Sequence, residues 1–148
     1  MAKHKRFTSL ENAQSAGPGD GTKTAGHDEI GLFVIAENLD PQNDTLEMTG
    51  HVSAEDEHYA TVDIGTTKKE NVLDITADDF RQSDADDTVY VAYRAAHNIP
   101  AEYVRAVIDS FTDASGDGDL SVTAYIFMSG WTGRGKSYDE RTDTPVNY

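Results

Sequence analysis

The sequence predicts an all-β fold: an antiparallel β-sandwich of about seven strands, jelly-roll or immunoglobulin-like, with extended arms at both ends. Three observations predict it. Short alternations of apolar and polar residues recur at roughly ten-residue spacing. Clusters of Gly, Asp, Asn and Pro separate them, the residue types that tolerate turn geometry. No stretch carries the 3.6-residue period of a strong amphipathic helix. At 148 residues the chain is long enough for one domain with its own core.

Taken in order, residues 1–27 are rich in Gly, Ser, Thr and Ala without either periodicity, and read as an extended N-terminal arm. The sandwich is expected over 28–130. Ile30, Leu32, Val34 and Ala36 alternate with Gly31, Phe33 and Ile35, a strand apolar on both faces and so buried twice or packed at an interface. LDPQND (39–44) is a turn. Leu46, Met48 and Val52 alternate with Glu47, Thr49 and His51 in a half-exposed strand. After the turn SAEDE (53–57), Ala60, Val62 and Ile64 mark the next strand, and Val72, Leu73 and Ile75 a short one. The acidic connection 76–87 has room for one helical turn near Asp78 to Gln82, and Val89, Val91 and Tyr93 follow as a strand. Val104, Ala106 and Ile108, then Leu120, Val122, Ala124, Ile126 and Met128, read as the two arms of a β-hairpin around TDASGDGD. After Gly130 the pattern stops, and 131–148 reads as a C-terminal arm.

Charge is the strongest compositional feature. The chain has 27 acidic residues (18 Asp, 9 Glu) against 12 Lys and Arg, a net of −15. Residues 28–130 hold 22 acids and 5 Lys or Arg, a net of −17, while 131–148 balance at three each. Such a body repels itself in dilute buffer. At molar salt the Debye length falls to about 3 Å and the repulsion is screened. Adaptation to saturating salt is the expectation; a cation-binding surface or a basic partner is the alternative. DNA binding by the body is not expected, since phosphate contacts need clustered Lys and Arg. Only Lys3, Lys5 and Arg6 offer a basic cluster for nucleic acid or an acidic neighbour. Absence of cysteine excludes disulfides and thiolate sites. With no long apolar run and no apolar stretch behind the basic N-terminus, neither a membrane span nor a signal peptide is expected.

Candidate chemistry is sparse. Asp113, Ser115, Asp117, Gly118 and Asp119 resemble the start of a calcium loop, but Ala124 stands where the bidentate Glu belongs, and the expectation is a hairpin tip. His51 and His58 flank an acidic turn and are weak metal candidates. No nucleophile–base motif, zinc-protease motif or phosphate loop is present, and no enzyme or cofactor is expected beyond loosely bound cations. More informative is the two-sided apolarity of the 100–128 stretch: Val104, Ile108, Val122 and Ile126 on one face, Tyr103, Val107, Tyr125 and Phe127 on the other. The second face is either covered by an arm of the same chain or an intersubunit contact. Trp131 and Tyr138 in the C-terminal arm, with Tyr148, are candidates to cover it.

The units Val52 to Tyr59 and Tyr103 to Met128 resemble those of small β-sandwich virion proteins of tailed viruses. There a strand, a Ser-x-Asp/Glu turn and an aromatic precede a YVR-type hairpin. The chain departs from that pattern at the turn, where Glu55, Asp56 and Tyr59 replace an Asp-Gly and a Trp. The resemblance implies a capsid-associated decoration, cementing or minor capsid protein. Its partners would be further copies of itself and the major capsid protein or neighbouring virion proteins. The acidic surface would make the host a halophilic archaeon, with assembly in a high-salt cytoplasm. The alternatives are a sugar- or cell-surface-binding module using Tyr59 or Trp131, and a tail-tube or turret subunit.

Overall fold

The computed structural model describes residues 5–24, 27, 29–61, 74–97 and 101–129. In chain order the strands are β1 (Lys5–Ala13), β2 (Gly17–Pro18), β3 (Thr22–Lys23), β4 (Glu29–Glu37), β5 (Thr45–Ser53), β6 (Ala60–Thr61), β7 (Asp74–Thr76), β8 (Arg81–Gln82), β9 (Val89–His97), β10 (Tyr103–Thr112) and β11 (Ser121–Ser129). One sheet, A, runs β1-β11-β4-β9-β8. The other, B, is built on β10 beside β5, with β2 and β3 on the far edge of β10 and β6 and β7 on that of β5. Every pairing is antiparallel. The all-β sandwich is therefore the observed architecture.

The core lies between the sheets and follows from period-2 patterning. Sheet A contributes Ile30, Leu32, Val34 and Ala36 from β4 and Val122, Ala124, Ile126 and Met128 from β11. Sheet B contributes Leu46 and Met48 from β5 and Val104, Ala106 and Ile108 from β10, with Ile75 of β7 also sealed in. Each fully buried Leu, Ile, Val or Met stabilises the fold by about 1.5–3 kcal/mol. At one end of the sandwich Asp44 ties two loops together. Its carboxylate accepts the Asp40 amide and the Ala114 amide, each at 2.8 Å.

Two expectations are corrected here. The first concerns 100–128, which is not a hairpin: β10 pairs with β5 in sheet B, whereas β11 pairs with β4 and β1 in sheet A. The linker crosses from one sheet to the other. The Asp113 carboxylate organises it by accepting the Ser115, Gly118 and Leu120 amides at 3.1–3.4 Å. Gly116 and Gly118 supply positive φ angles of 74° and 73°, and Leu120 drops into the core. Alternation cannot distinguish two strands paired edge to edge from two facing one another across a core, because each shows period 2 in either case.

The second correction concerns residues 1–27, expected as an arm. Residues 5–13 form β1, which covers the free edge of β11, and β2 and β3 then cross to the edge of β10. This segment clasps both sheets. Ser9 is its rivet: its Oγ donates to the Asp20 carbonyl at 2.7 Å and accepts the Ala106 amide at 2.9 Å. Irregularities hide the strand from a periodicity reading. Register shifts fall between Thr8 and Leu10 and between Leu10 and Ala13, so Phe7, Leu10 and Ala13 all pack on the core at spacings of three.

Smaller differences have local causes. The helical turn in the acidic connection is a 3-10 turn at Ala77–Asp79, started by the Thr76 amide donating to Asp79 Oδ2 at 2.9 Å. Strand β9 runs on through Ala95 and Ala96, which pair with Gly31 and Ile30. Residues 62–64 and 72–73 of the expected strands lie outside the described residues. Among the described residues no helix is long and apolar enough to cross a membrane.

Candidate interface surfaces

The solvent face of sheet A is assembled by register. Phe33 of β4 lies between Tyr125 of β11 and Tyr93 of β9. One row along, Gly31 lies between Phe127 and Ala95; one row the other way, Ile35 lies between Thr123 and Val91. Those side chains alternate with the core residues and so point outward together. Phe33 meets Phe127 edge-on, with centroids 6.1 Å apart, and Tyr93 at 6.2 Å. The Arg6 guanidinium of β1 stacks over Tyr125 at 4.8 Å from the ring centroid. Gly31 makes room for Tyr93: a Cβ there would stand 2.9 Å from the Tyr93 ring.

The result is an aromatic band with a polar rim. Tyr93 is 55% exposed and Phe127 37%, the two exposed large hydrophobic residues among those described. Glu29 and Glu37 stand at opposite ends of β4, and Glu29 accepts a hydrogen bond from Ser129 Oγ at 2.6 Å. An apolar centre inside a charged border makes this face a candidate contact surface.

Sheet B presents a different face. Tyr103, Arg105 and Val107 of β10 lie opposite Ser53, His51 and Thr49 of β5. The 54–59 loop folds back so that the Tyr59 ring covers the Arg105 guanidinium at 3.9 Å, and Tyr59 Oη donates to the Asp56 carboxylate. Burial, reinforced by that carboxylate, raises the phenol well above the usual tyrosine range. Lys23 sits over Tyr103 at 5.9 Å, and Thr49 Oγ1 donates to Asp109 at 2.8 Å. One ring face of Tyr59 is thus occupied by Arg105, which leaves less of it for stacking on a sugar.

His51 is enclosed in this face. Its Nδ1 and Arg105 Nε are buried without a hydrogen-bond partner among the described residues. Desolvation lowers its pKa below 6.5; the Asp109 carboxylate opposes that and the Arg105 charge reinforces it. Because the folded value lies below the unfolded one, the unfolded chain takes the proton first. The associated stability is complete above pH 6.5 and is lost as pH falls through the lower folded value. A His51→Gln variant should therefore lose less stability than the wild type between neutral and acidic pH in urea titrations. Equal losses would mean the imidazole titrates as if in water.

The expected interface set is divided by the fold. Tyr125 and Phe127 come together on sheet A, whereas Tyr103 and Val107 belong to sheet B, on the other side of the core. Trp131 and Tyr138 lie outside the described residues, as does Lys3. Lys5 pairs through its backbone with Met128, and Arg6 is engaged with Tyr125. Phe33 and Tyr93, central to the sheet A band, were absent from the expected set. Their signal was present in the two-sided apolarity of 30–36 and in Tyr93 on the next strand.

Of the metal candidates, Asp113 spends its carboxylate on backbone amides, and hydrogen bonds led by the Ser115 hydroxyl lower its pKa. It forms no convergent group with Asp117 and Asp119. His58 joins Glu55 and Glu57, whose ligand atoms lie within 4.8 Å of one another, all three exposed; His51 is not among them. His58 Nδ1 is 2.7 Å from Glu55.

Comparison with known proteins now adds the fold's relatives. No protein-family model matches the chain, and no curated protein does. Among the solved structures that the two-sheet sandwich is similar to are the following three. The SPBc2 prophage-derived protein YomS has a TM-score of 0.51 at 13% identity, over 88% of this chain and 96% of that one. The PBSX exported protein XepA has a TM-score of 0.52 at 13% identity, over 87% of this chain. The VP2 subviral particle of infectious bursal disease virus has 0.51 at 11% identity, over 89%. This chain spans nearly all of YomS but only 38% of XepA and 33% of VP2. At such identities the likeness is one of fold.

Proposed function

We propose that the chain is a non-enzymatic virion structural protein that assembles with further copies of itself, using the sheet A band as a contact surface. The observation that carries the reading is the sandwich fold shared with a prophage-derived protein across both chains' lengths and with a viral particle protein across most of this chain. The exposed aromatic band supports the assembly part, since a lone subunit would keep Tyr93 and Phe127 in water. Symmetric repetition of modest contacts then gives a stable shell. The finer reading is a capsid-associated decoration, cementing or minor capsid role in a virus of a halophilic host. Support for the host comes from the net charge of −15.

Light scattering at molar salt and in dilute buffer tests this. A defined oligomer is expected at molar salt, and it should dissociate or unfold on dilution as self-repulsion is unmasked. A monomer equally stable in both buffers would overturn both the assembly and the salt adaptation.

A further inference from the structure

We infer that the occupant of the sheet A band is the segment 130–148 of a neighbouring copy, with Trp131 as its anchor; this rests on the assembly reading above. The size of the band argues for a segment over a second sandwich body. Three strands at about 4.8 Å spacing and three rows at about 6.8 Å give roughly 300 Å² of apolar face. A stable two-body contact needs about 800 Å² per partner. Widening the contact to that size would bury the Glu29 and Glu37 rims of both bodies, and taking like-charged carboxylates out of water is costly even where salt screens their repulsion.

Residues 131–148 avoid that cost. They hold three acids balanced by Arg134, Lys136 and Arg141, so they are neutral where the body is strongly acidic. They also carry Trp131, the chain's single tryptophan, and Tyr138. Nineteen residues follow Ser129, with an extended reach of roughly 60 Å at about 3.3 Å per residue. That is enough to leave one body and cross the band of the next.

Geometry at the end of β11 favours the neighbour over the same chain. Phe127, Tyr125 and Thr123 lie behind Ser129 along the strand, so the chain leaves the sheet heading away from the band. A reversal at that point takes two central residues. In a turn starting at Ser129 these are Gly130 and Trp131, so the chain's own tryptophan would be used up in the turn. A segment arriving from another copy has no such constraint.

Trp131 reports on its own environment, because no other tryptophan contributes to the emission. With the full chain at molar salt, its emission should move to the blue as concentration rises, in step with the mass by light scattering. Tyr93→Ser should raise the concentration for half-association at least about tenfold, with the unfolding transition retained. Trp131→Ala should do the same, and it keeps the test intact if Tyr93→Ser fails to fold. Blue emission from a dilute monomer would overturn the inference in favour of the chain's own segment. Association with Trp131 still in water would overturn it and leave the assembly reading standing. A monomer at every concentration would end both.

Discussion

A chain lacking residues 1–13 is expected to lose its cooperative unfolding transition. Deleting β1 strips three groups from the core, Phe7, Leu10 and Ala13. It also bares the edge of β11, whose inward residues Val122, Ala124 and Ile126 are fully buried. Two partly buried large side chains and the newly exposed surface beneath them amount to about 5 kcal/mol, against a total stability of about 5–15 kcal/mol for a domain. Loss of Ser9 adds to this by leaving the Ala106 amide without its acceptor, and that amide belongs to a fully buried residue. The measurement is far-UV circular dichroism through a thermal ramp at molar salt, where charge repulsion is screened and does not itself unfold the protein. A truncated chain that melts as sharply as the full one, within a few degrees, would make β1 a dispensable cover.

That prediction turns on a strand the sequence conceals, and the reason generalises across this fold. Periodicity reveals strands whose pairing is regular. In β4, Ile30, Leu32, Val34 and Ala36 fall two apart and all four reach the core. In β1 the inward residues fall three apart, because irregular register twice adds a residue against β11. Which strands pair is a further step that alternation does not encode. Leu120 to Met128 and Val104 to Ile108 are recognisable as strands with their inward faces correctly read, yet they face one another across the core. The eight-residue connection was the available signal, being longer than the two to five residues usual in hairpins.

The candidate surface shows the same division. Tyr125 and Phe127 are readable as outward because their neighbours Ala124, Ile126 and Met128 are the apolar partners of a regular strand. Grouping them with Tyr103 and Val107 required the wrong pairing, and so the fold separates the two sets by the thickness of the core. Phe33 and Tyr93 reach the band from β4 and β9, strands 60 residues apart in sequence at their paired positions. Only the register brings those rings together.

The sharpest test of this arrangement uses two adjacent residues. Ile126→Ala is expected to destabilise the fold by about 2–5 kcal/mol, the range for emptying a well-packed core site. Ile126 is fully buried and lies opposite Leu32 on one side and Phe7 on the other, so the cavity would open between three strands of sheet A. Phe127→Ser, one residue on, should change stability by less than about 1 kcal/mol, as surface substitutions do. Its ring is 37% exposed and leans on Phe33 alone among the aromatic rings described. Its effect should fall instead on association, because it removes part of the band that a partner covers. Urea unfolding and light scattering on the same two samples separate these outcomes: Ile126→Ala lowers the unfolding midpoint and leaves the surface intact, whereas Phe127→Ser weakens association with the midpoint held. If Phe127→Ser unfolds the chain as readily as Ile126→Ala, the outer face of sheet A is packed within the subunit itself, and its role as a contact surface is lost.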